Sequence, residues 1–274
     1  MNLSYLLPRL ARHFMPEQLV RTLLLRGWII HPGLETSSPL DALQRYVDVL
    51  TERGLSFQNK RVLVFGYGGR FDIGLELLKQ GAEHIILCDK YARPDEAHNR
   101  KLYAGEPEYF IVENSQLRPR SKWMTLLETD IRENQIGKEI GSVDIVLSSS
   151  VYEHLDDAEG ITHALASVTQ PNGIQIHFVD LRDHFFKYPF EMLRFSERTW
   201  RNFLNPSSHH NRYRLWDYRK AFESYFSNVE IKILSRDSEA FRRLQPFILP
   251  EFLSQNTEEN DVTLIRVIAT KPIG

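Results

Sequence analysis

Two groups of residues in this 274-residue chain have the types and spacing to do chemistry. The first is a turn, Phe65-Gly66-Tyr67-Gly68-Gly69-Arg70, followed 23 residues after Gly66 by Asp89. Glycines admit positive φ and let a ligand approach bare backbone, while a carboxylate ending the next strand is placed to meet the ribose hydroxyls of an adenosine-type ligand. The second is the polar exit of an apolar run, where His177, Asp180, Arg182, Asp183 and His184 follow one another closely. Adjacent carboxylate and imidazole suit proton abstraction, one group acting as base and the other orienting it, and Asp183 with His184 could fill those roles or contact a polar acceptor, the competing reading being a solvated turn. His177 is a further candidate base; its competing reading is a core histidine whose ring must find hydrogen-bond partners. The same side chains could ligate a divalent ion, but their spacing matches no defined site, and no metal is expected.

These residues need elements to hold them. Arg61–Phe65 and His84–Cys88 read as short buried strands flanking a helix over Phe71–Gln80, and Val143–Leu147 and Gly173–Val179 read as two more strands separated by a helix from about Ala158 to Thr169. Such alternation predicts an α/β fold: a doubly wound, mostly parallel Rossmann-like sheet covered by helices on both faces. A helix over Trp216–Phe226 and strands near Val229–Leu234 and Val262–Ala269 close the chain. Residues 90–122 receive no secure assignment. Residues 1–57 read as a helical N-terminal extension, from Leu3, Leu6, Leu7, Leu10 and Phe14, a second apolar stretch at Leu19, Val20, Leu23 and Leu24, and a third after Ser38-Pro39. Residues 58–274 form the main domain, with an irregular insertion at about 181–214 that carries His209-His210-Asn211-Arg212-Tyr213-Arg214 and an aromatic set, Tyr188, Phe190, Phe195 and Trp200, read as a local apolar cluster.

The identity of the ligand is narrowed by what the turn lacks. A dinucleotide fingerprint needs glycine where Phe71 stands, and no Gly-Lys-Ser/Thr occurs for a nucleoside triphosphate. The run Gly66-Tyr67-Gly68-Gly69, Asp89, Thr129-Asp130-Ile131 and Asp144 through Asp157, including Val151-Tyr152-Glu153-His154, resembles in order and spacing the cofactor motifs of class I S-adenosylmethionine-dependent methyltransferases. The resemblance is clearest over residues 60–180. It implies that Gly66, Tyr67, Gly68 and Gly69 lie against the methionine moiety, Asp89 binds ribose, Asp130 and Ile131 face adenine, backbone near Ser148 holds the amino acid end, and His154 organises the site. It implies S-adenosyl-L-methionine as cofactor and S-adenosyl-L-homocysteine as product; it does not select the acceptor, and methyl transfer to a small or medium polar acceptor is expected.

Two positions depart from the pattern: Val64 where an acidic residue is usual, and Arg70 where a further glycine is usual. A charge-assisted hydrogen bond is worth roughly 1.5–3 kcal/mol, and Arg70 could restore one by pairing with the methionine carboxylate. Two other readings stay open: a scaffold that kept this fold without the cofactor, and a nicotinamide-dependent oxidoreductase.

Composition limits the partners. With 34 Lys and Arg against 36 Asp and Glu, the formal charge of −2 offers no global field for nucleic acid, and none is expected as a partner. Arg9, Arg12, Arg21 and Arg26 make the first part of the chain mildly basic; membrane-surface association is conceivable, with packing on the core favoured. A lone cysteine, Cys88, leaves no internal disulfide or Cys-rich zinc site and fits a reducing, cytoplasmic setting, and neither a signal peptide nor a spanning helix is read.

Overall fold

A computed structural model describes residues 3–16, 19, 38–133, 136–183, 188–205 and 210–273. The apolar stretch through Val20, Leu23 and Leu24, with Arg21 and Arg26, and also His184 and His209, lies outside the described residues.

The strands are β1 (Arg61–Phe65), β2 (His84–Cys88), β3 (Phe110–Glu113), β4 (Gln116–Pro119), β5 (Met124–Leu127), β6 (Val143–Ser149), β7 (Thr169–Asp180), β8 (Phe226–Arg236) and β9 (Val262–Pro272). Seven of them form one sheet in the order β5-β2-β1-β6-β7-β9-β8. The first five positions are parallel; β9 inserts antiparallel between β7 and β8. The order reverses at β1, between β2 and β6, and open sheets place their ligand crevice outside the strand C-termini at that switch point. The glycine turn leaves β1 there.

Period-2 alternation divides the core in two. Leu63, Phe65, Val146 and Val179 face one layer with α5 (Ile136–Ile140), α6 (Ala158–Val168) and α7 (Leu215–Glu223). Val62, Val64, Ile145, Leu147, Ile174 and Ile176 face the other, where α2 (Pro39–Thr51) and α3 (Asp72–Lys79) pack. Ala42, Leu43, Tyr46, Val49 and Leu50 put α2 into the sheet's own core. Fully buried parallel strands need apolar residues on both faces, which is why β1 and β2 are near-continuous Val, Leu and Ile.

Residues 90–122 fold as α4 (Glu96–Gly105) and a β3–β4 hairpin. Asn114 and Ser115 take φ of 49° and 66°, the pair of positive values that a two-residue hairpin turn matched to strand twist requires. The N-terminal α1 (Leu3–His13) packs on a single π-helical turn, Trp200–Leu204, and on α8 (Ser238–Leu244), joining Phe190, Met192, Leu193 and Phe241 in a third cluster. Tyr188 and Phe195 flank that cluster, so the aromatic set of the insertion is an apolar core of its own. Among the described residues, no helix is long and apolar enough to cross a membrane.

Candidate functional site

The turn after β1 carries three left-handed glycines, Gly66, Gly68 and Gly69, at φ of 82°, 72° and 87°. A side chain at any of them would be strained. Two are crowded as well: a Cβ on Gly66 would lie 2.3 Å from Val151 Cγ2, and one on Gly69 would lie 2.4 Å from the Arg93 carbonyl oxygen. The loop after β6 and the loop after β2 therefore close on the turn from two sides. Asp89 joins them: Oδ2 accepts from the Gly68 N–H (3.2 Å), and Oδ1 accepts from Tyr91 N–H and Ala92 N–H (both 2.9 Å). Asn99, fully buried, accepts from Phe71 N–H and donates to the Gly69 carbonyl, serving a helix start that has no cap of its own. Tyr67 is also fully buried; its ring stacks on Phe71, which stacks on Phe110 of the hairpin. Burial first, then the Asp89 charge, pushes its phenol pKa up. Arg70 pairs with Asp95 (3.2 Å).

At the neighbouring strand end, Asp130 is chelated by Arg132, whose Nε and Nη2 donate to the two carboxylate oxygens (2.9 and 2.6 Å), and Lys90 adds a third contact (3.1 Å). The Arg132 hydrogen bonds hold the Asp130 carboxyl well below the usual carboxylate range. Ile131 turns into the core beside Ile136 and Ile140.

Ser148 and His177 face each other across β6 and β7, and both are fully buried. Gln175 Nε2 donates to Thr169 Oγ1, which donates to the Leu165 carbonyl, so Gln175 Oε1 must accept from His177 Nε2 (3.0 Å) and His177 Nδ1 accepts from Ser148 Oγ (2.7 Å). The Gln175 bond places a proton on Nε2, and burial, which pulls the imidazole pKa down to about 3, keeps the ring neutral with Nδ1 as the acceptor. Tyr152 packs against the ring edge-on and Phe222 at a tilt. With both nitrogens engaged and no surface exposed, His177 occupies the place of a satisfied core histidine, not of a base meeting substrate.

Asp183 is equally far from its expected role. It is fully buried, and α1 claims it: Tyr5 Oη donates to Oδ2 (2.6 Å), Arg9 Nε donates to Oδ2 (2.7 Å), and Arg9 Nη2 pairs with Oδ1. The guanidinium also sits 4.5 Å from the Trp200 ring centre. A carboxylate holding a bidentate arginine and a phenol is a buried ion pair, and Arg9 is withdrawn from the basic surface that made membrane docking conceivable. Asp180 likewise receives Arg182 (2.9 and 2.8 Å). The polar exit of β7 therefore splits among separate partners, and among the described residues no group of three or more His, Cys, Asp and Glu is placed to hold a metal ion.

His154, half-buried, lies on the loop after β6, with its ring 5.8 Å from that of His210. A residue given no role in the sequence reading fixes this loop. Asn211 Nδ2 donates to the carbonyls of Tyr152 (2.8 Å) and Leu155 (3.0 Å), and the Asn211 N–H donates to the Glu153 carbonyl (2.9 Å). Arg214, fully buried with its pKa pulled down to about 10 by burial, donates to the Leu181 and Val262 carbonyls. The dense His209–Arg214 polar run was the signal for these roles; its long-range partners were not readable.

No family model matches the sequence, and no curated protein matches it. Solved structures do. Phosphoethanolamine N-methyltransferase 2 of Haemonchus contortus, in complex with S-adenosyl-L-methionine, is similar with a TM-score of 0.51 at 12% identity, over 84% of this chain. The chain spans about half (53%) of that structure. An S-adenosylmethionine-dependent methyltransferase from Mesorhizobium loti is similar at 10% identity over 81% of this chain and 95% of its own (TM-score 0.47), and the YcgJ protein of Bacillus subtilis at 11% over 84% and 100% (TM-score 0.49). The fold is the Rossmann-like fold of class I S-adenosylmethionine-dependent methyltransferases.

Proposed function

We propose that this chain is an S-adenosyl-L-methionine-dependent methyltransferase acting on a small or medium polar acceptor. One observation carries the reading: at the switch point of this sheet, three left-handed glycines follow β1, and Asp89, just after β2, is bonded to the middle one. The donor set fits the cofactor. A carboxylate offers about four acceptor positions, and three on Asp89 are used within the chain, leaving one for a ribose hydroxyl. Gly68 brings bare backbone to the same place.

The sulfonium supplies a methyl group whose departure leaves a neutral thioether. The chain's contribution is alignment, which can be worth roughly 7–11 kcal/mol when two reactants are held in attacking geometry. Asp89 orients the sugar, the Lys90–Asp130–Arg132 cluster borders the base end, and the Val151–Leu155 loop bounds the turn and carries His154. Neither His177 nor Asp183 takes a proton in this arrangement; His184 remains the candidate from the polar exit of β7. Acceptors that react without a strong base, such as thiolates and amines presented neutral, suit such a site best.

A second reading, a fold retained without cofactor, draws support from Asp130, both of whose oxygens are occupied by Arg132. Denaturing the purified protein and examining it by mass spectrometry for a co-purified adenosyl compound, alongside calorimetry with S-adenosyl-L-homocysteine, separates the two. The methyltransferase reading predicts saturable binding weakened by Asp89→Ala; the scaffold reading predicts none at millimolar ligand.

A further inference from the structure

The segment 210–214 is a strap between two bodies. On one side, the His210 ring donates to the Arg182 carbonyl, the His210 carbonyl accepts from Trp200 Nε1, and Arg212 donates to the Met192 and Phe195 carbonyls. Those contacts root it in the insertion that packs against α1. The other side presents Asn211, whose amide uses its whole capacity: two hydrogen bonds donated to Tyr152 and Leu155, two accepted from Tyr213 N–H (2.9 Å) and Tyr218 Oη (3.2 Å). With its own N–H on the Glu153 carbonyl, this residue reaches three of the five residues of the loop 151–155. That loop places Val151 against Gly66 at a distance only glycine permits.

We infer that Asn211 is a positioning residue that sets the separation between the loop after β6 and the glycine turn, so that the insertion and the cofactor crevice move as one unit. The geometry selects asparagine. Aspartate has the same shape but no N–H to give, and Asn211→Asp turns a carboxylate toward two carbonyl oxygens while keeping the bonds from Tyr213 and Tyr218. The loop then loses two of its three bonds to Asn211, keeping only the backbone one at Glu153, while the strap keeps its own. Asn211→Ala removes both sets.

The test compares amide hydrogen exchange in the loop with affinity for S-adenosyl-L-homocysteine in three variants of the full chain, Asn211→Asp, Asn211→Ala and Tyr218→Phe. The first readout stands without the proposed activity; only the second rests on it. Expected for both Asn211 variants is exchange at His154 and Leu155 at least tenfold faster, with β1 amides unchanged, and ligand binding at least tenfold weaker. Tyr218→Phe removes one hydrogen bond to Asn211 and lowers Tm, yet leaves loop exchange and affinity within twofold, which separates positioning from general loss of stability. Unchanged exchange at 151–155 in Asn211→Asp overturns the inference, as does faster exchange with undiminished affinity. If the wild type fails to bind S-adenosyl-L-homocysteine, the cofactor reading falls, and the exchange result alone decides the role of Asn211.

Discussion

The two ends of the crevice are built by different means. Around the glycine turn, polar groups find partners close in the chain or on the adjacent strand end: Asp89 with Gly68, Tyr91 and Ala92, Asp130 with Arg132, Asp95 with His98. Beyond β7, partners come from the far end of the sequence. Arg9 and Asp183 are 174 residues apart, and Arg214 reaches Val262 across 48. The first arrangement leaves partly exposed carboxylates, Asp89 bonded only to backbone N–H groups, able to exchange one donor for another. The second sequesters charge completely and depends on the whole fold being assembled. A ligand site favours the first kind of construction and a structural clamp the second.

The largest effect should therefore come from breaking the clamp. Removing one member of a buried, hydrogen-bonded ion pair strands the other charge and costs about 3–5 kcal/mol. Asp183→Ala is expected to lose that much in urea unfolding followed by tryptophan fluorescence, and Arg9→Met with Asp183→Leu should recover most of it. A loss below about 1 kcal/mol in the single variant would show that α1 is not clamped as described.

Next in size is the pH dependence set by His177. Its pKa falls from 6.5 unfolded to about 3 folded, so the unfolded chain binds the extra proton throughout that window. Stability from this group is complete above pH 6.5 and lost as pH falls toward 3, at about 1.4 kcal/mol per pH unit. The difference in unfolding free energy between wild type and His177→Gln should shrink with that slope below pH 6.5. A difference independent of pH would place a charged or solvated ring there.

The smallest effect belongs to the crevice backbone. Ser150, just after β6, adopts φ of 56°. Glycine relieves a left-handed strain of about 1–2 kcal/mol but adds roughly 0.4–1 kcal/mol of unfolded-state freedom. Ser150→Gly should raise stability by at most about 1.6 kcal/mol, read from the urea midpoint; a large loss would mean that the Ser150 side chain anchors the loop.

Local patterns account for what was legible in the sequence. The apolar runs Val62–Phe65 and Ile85–Cys88, the glycines and Asp89 act over short spans, and the sheet and the turn followed from them. The hairpin at Asn114-Ser115 went unassigned because neither residue is glycine, the usual sign of its turn. His177 and Asp183 drew attention as polar residues leaving an apolar strand, and residue type alone could not distinguish a reactive group from one committed to Ser148 and Gln175, or to Tyr5 and Arg9. Such commitments are tertiary, made between segments with no shared periodicity. Asn211 was hidden for the same reason: its partners are backbone carbonyls, which carry no residue type.

The central claim is that the bend from Gly66 to Gly69, with Asp89, receives the adenosyl cofactor. Isothermal titration of the purified chain with S-adenosyl-L-homocysteine tests it directly. The account predicts one-to-one binding that Asp89→Ala weakens at least tenfold, the loss of roughly one charge-assisted hydrogen bond. No heat of binding at millimolar ligand, or an affinity indifferent to Asp89, would contradict it.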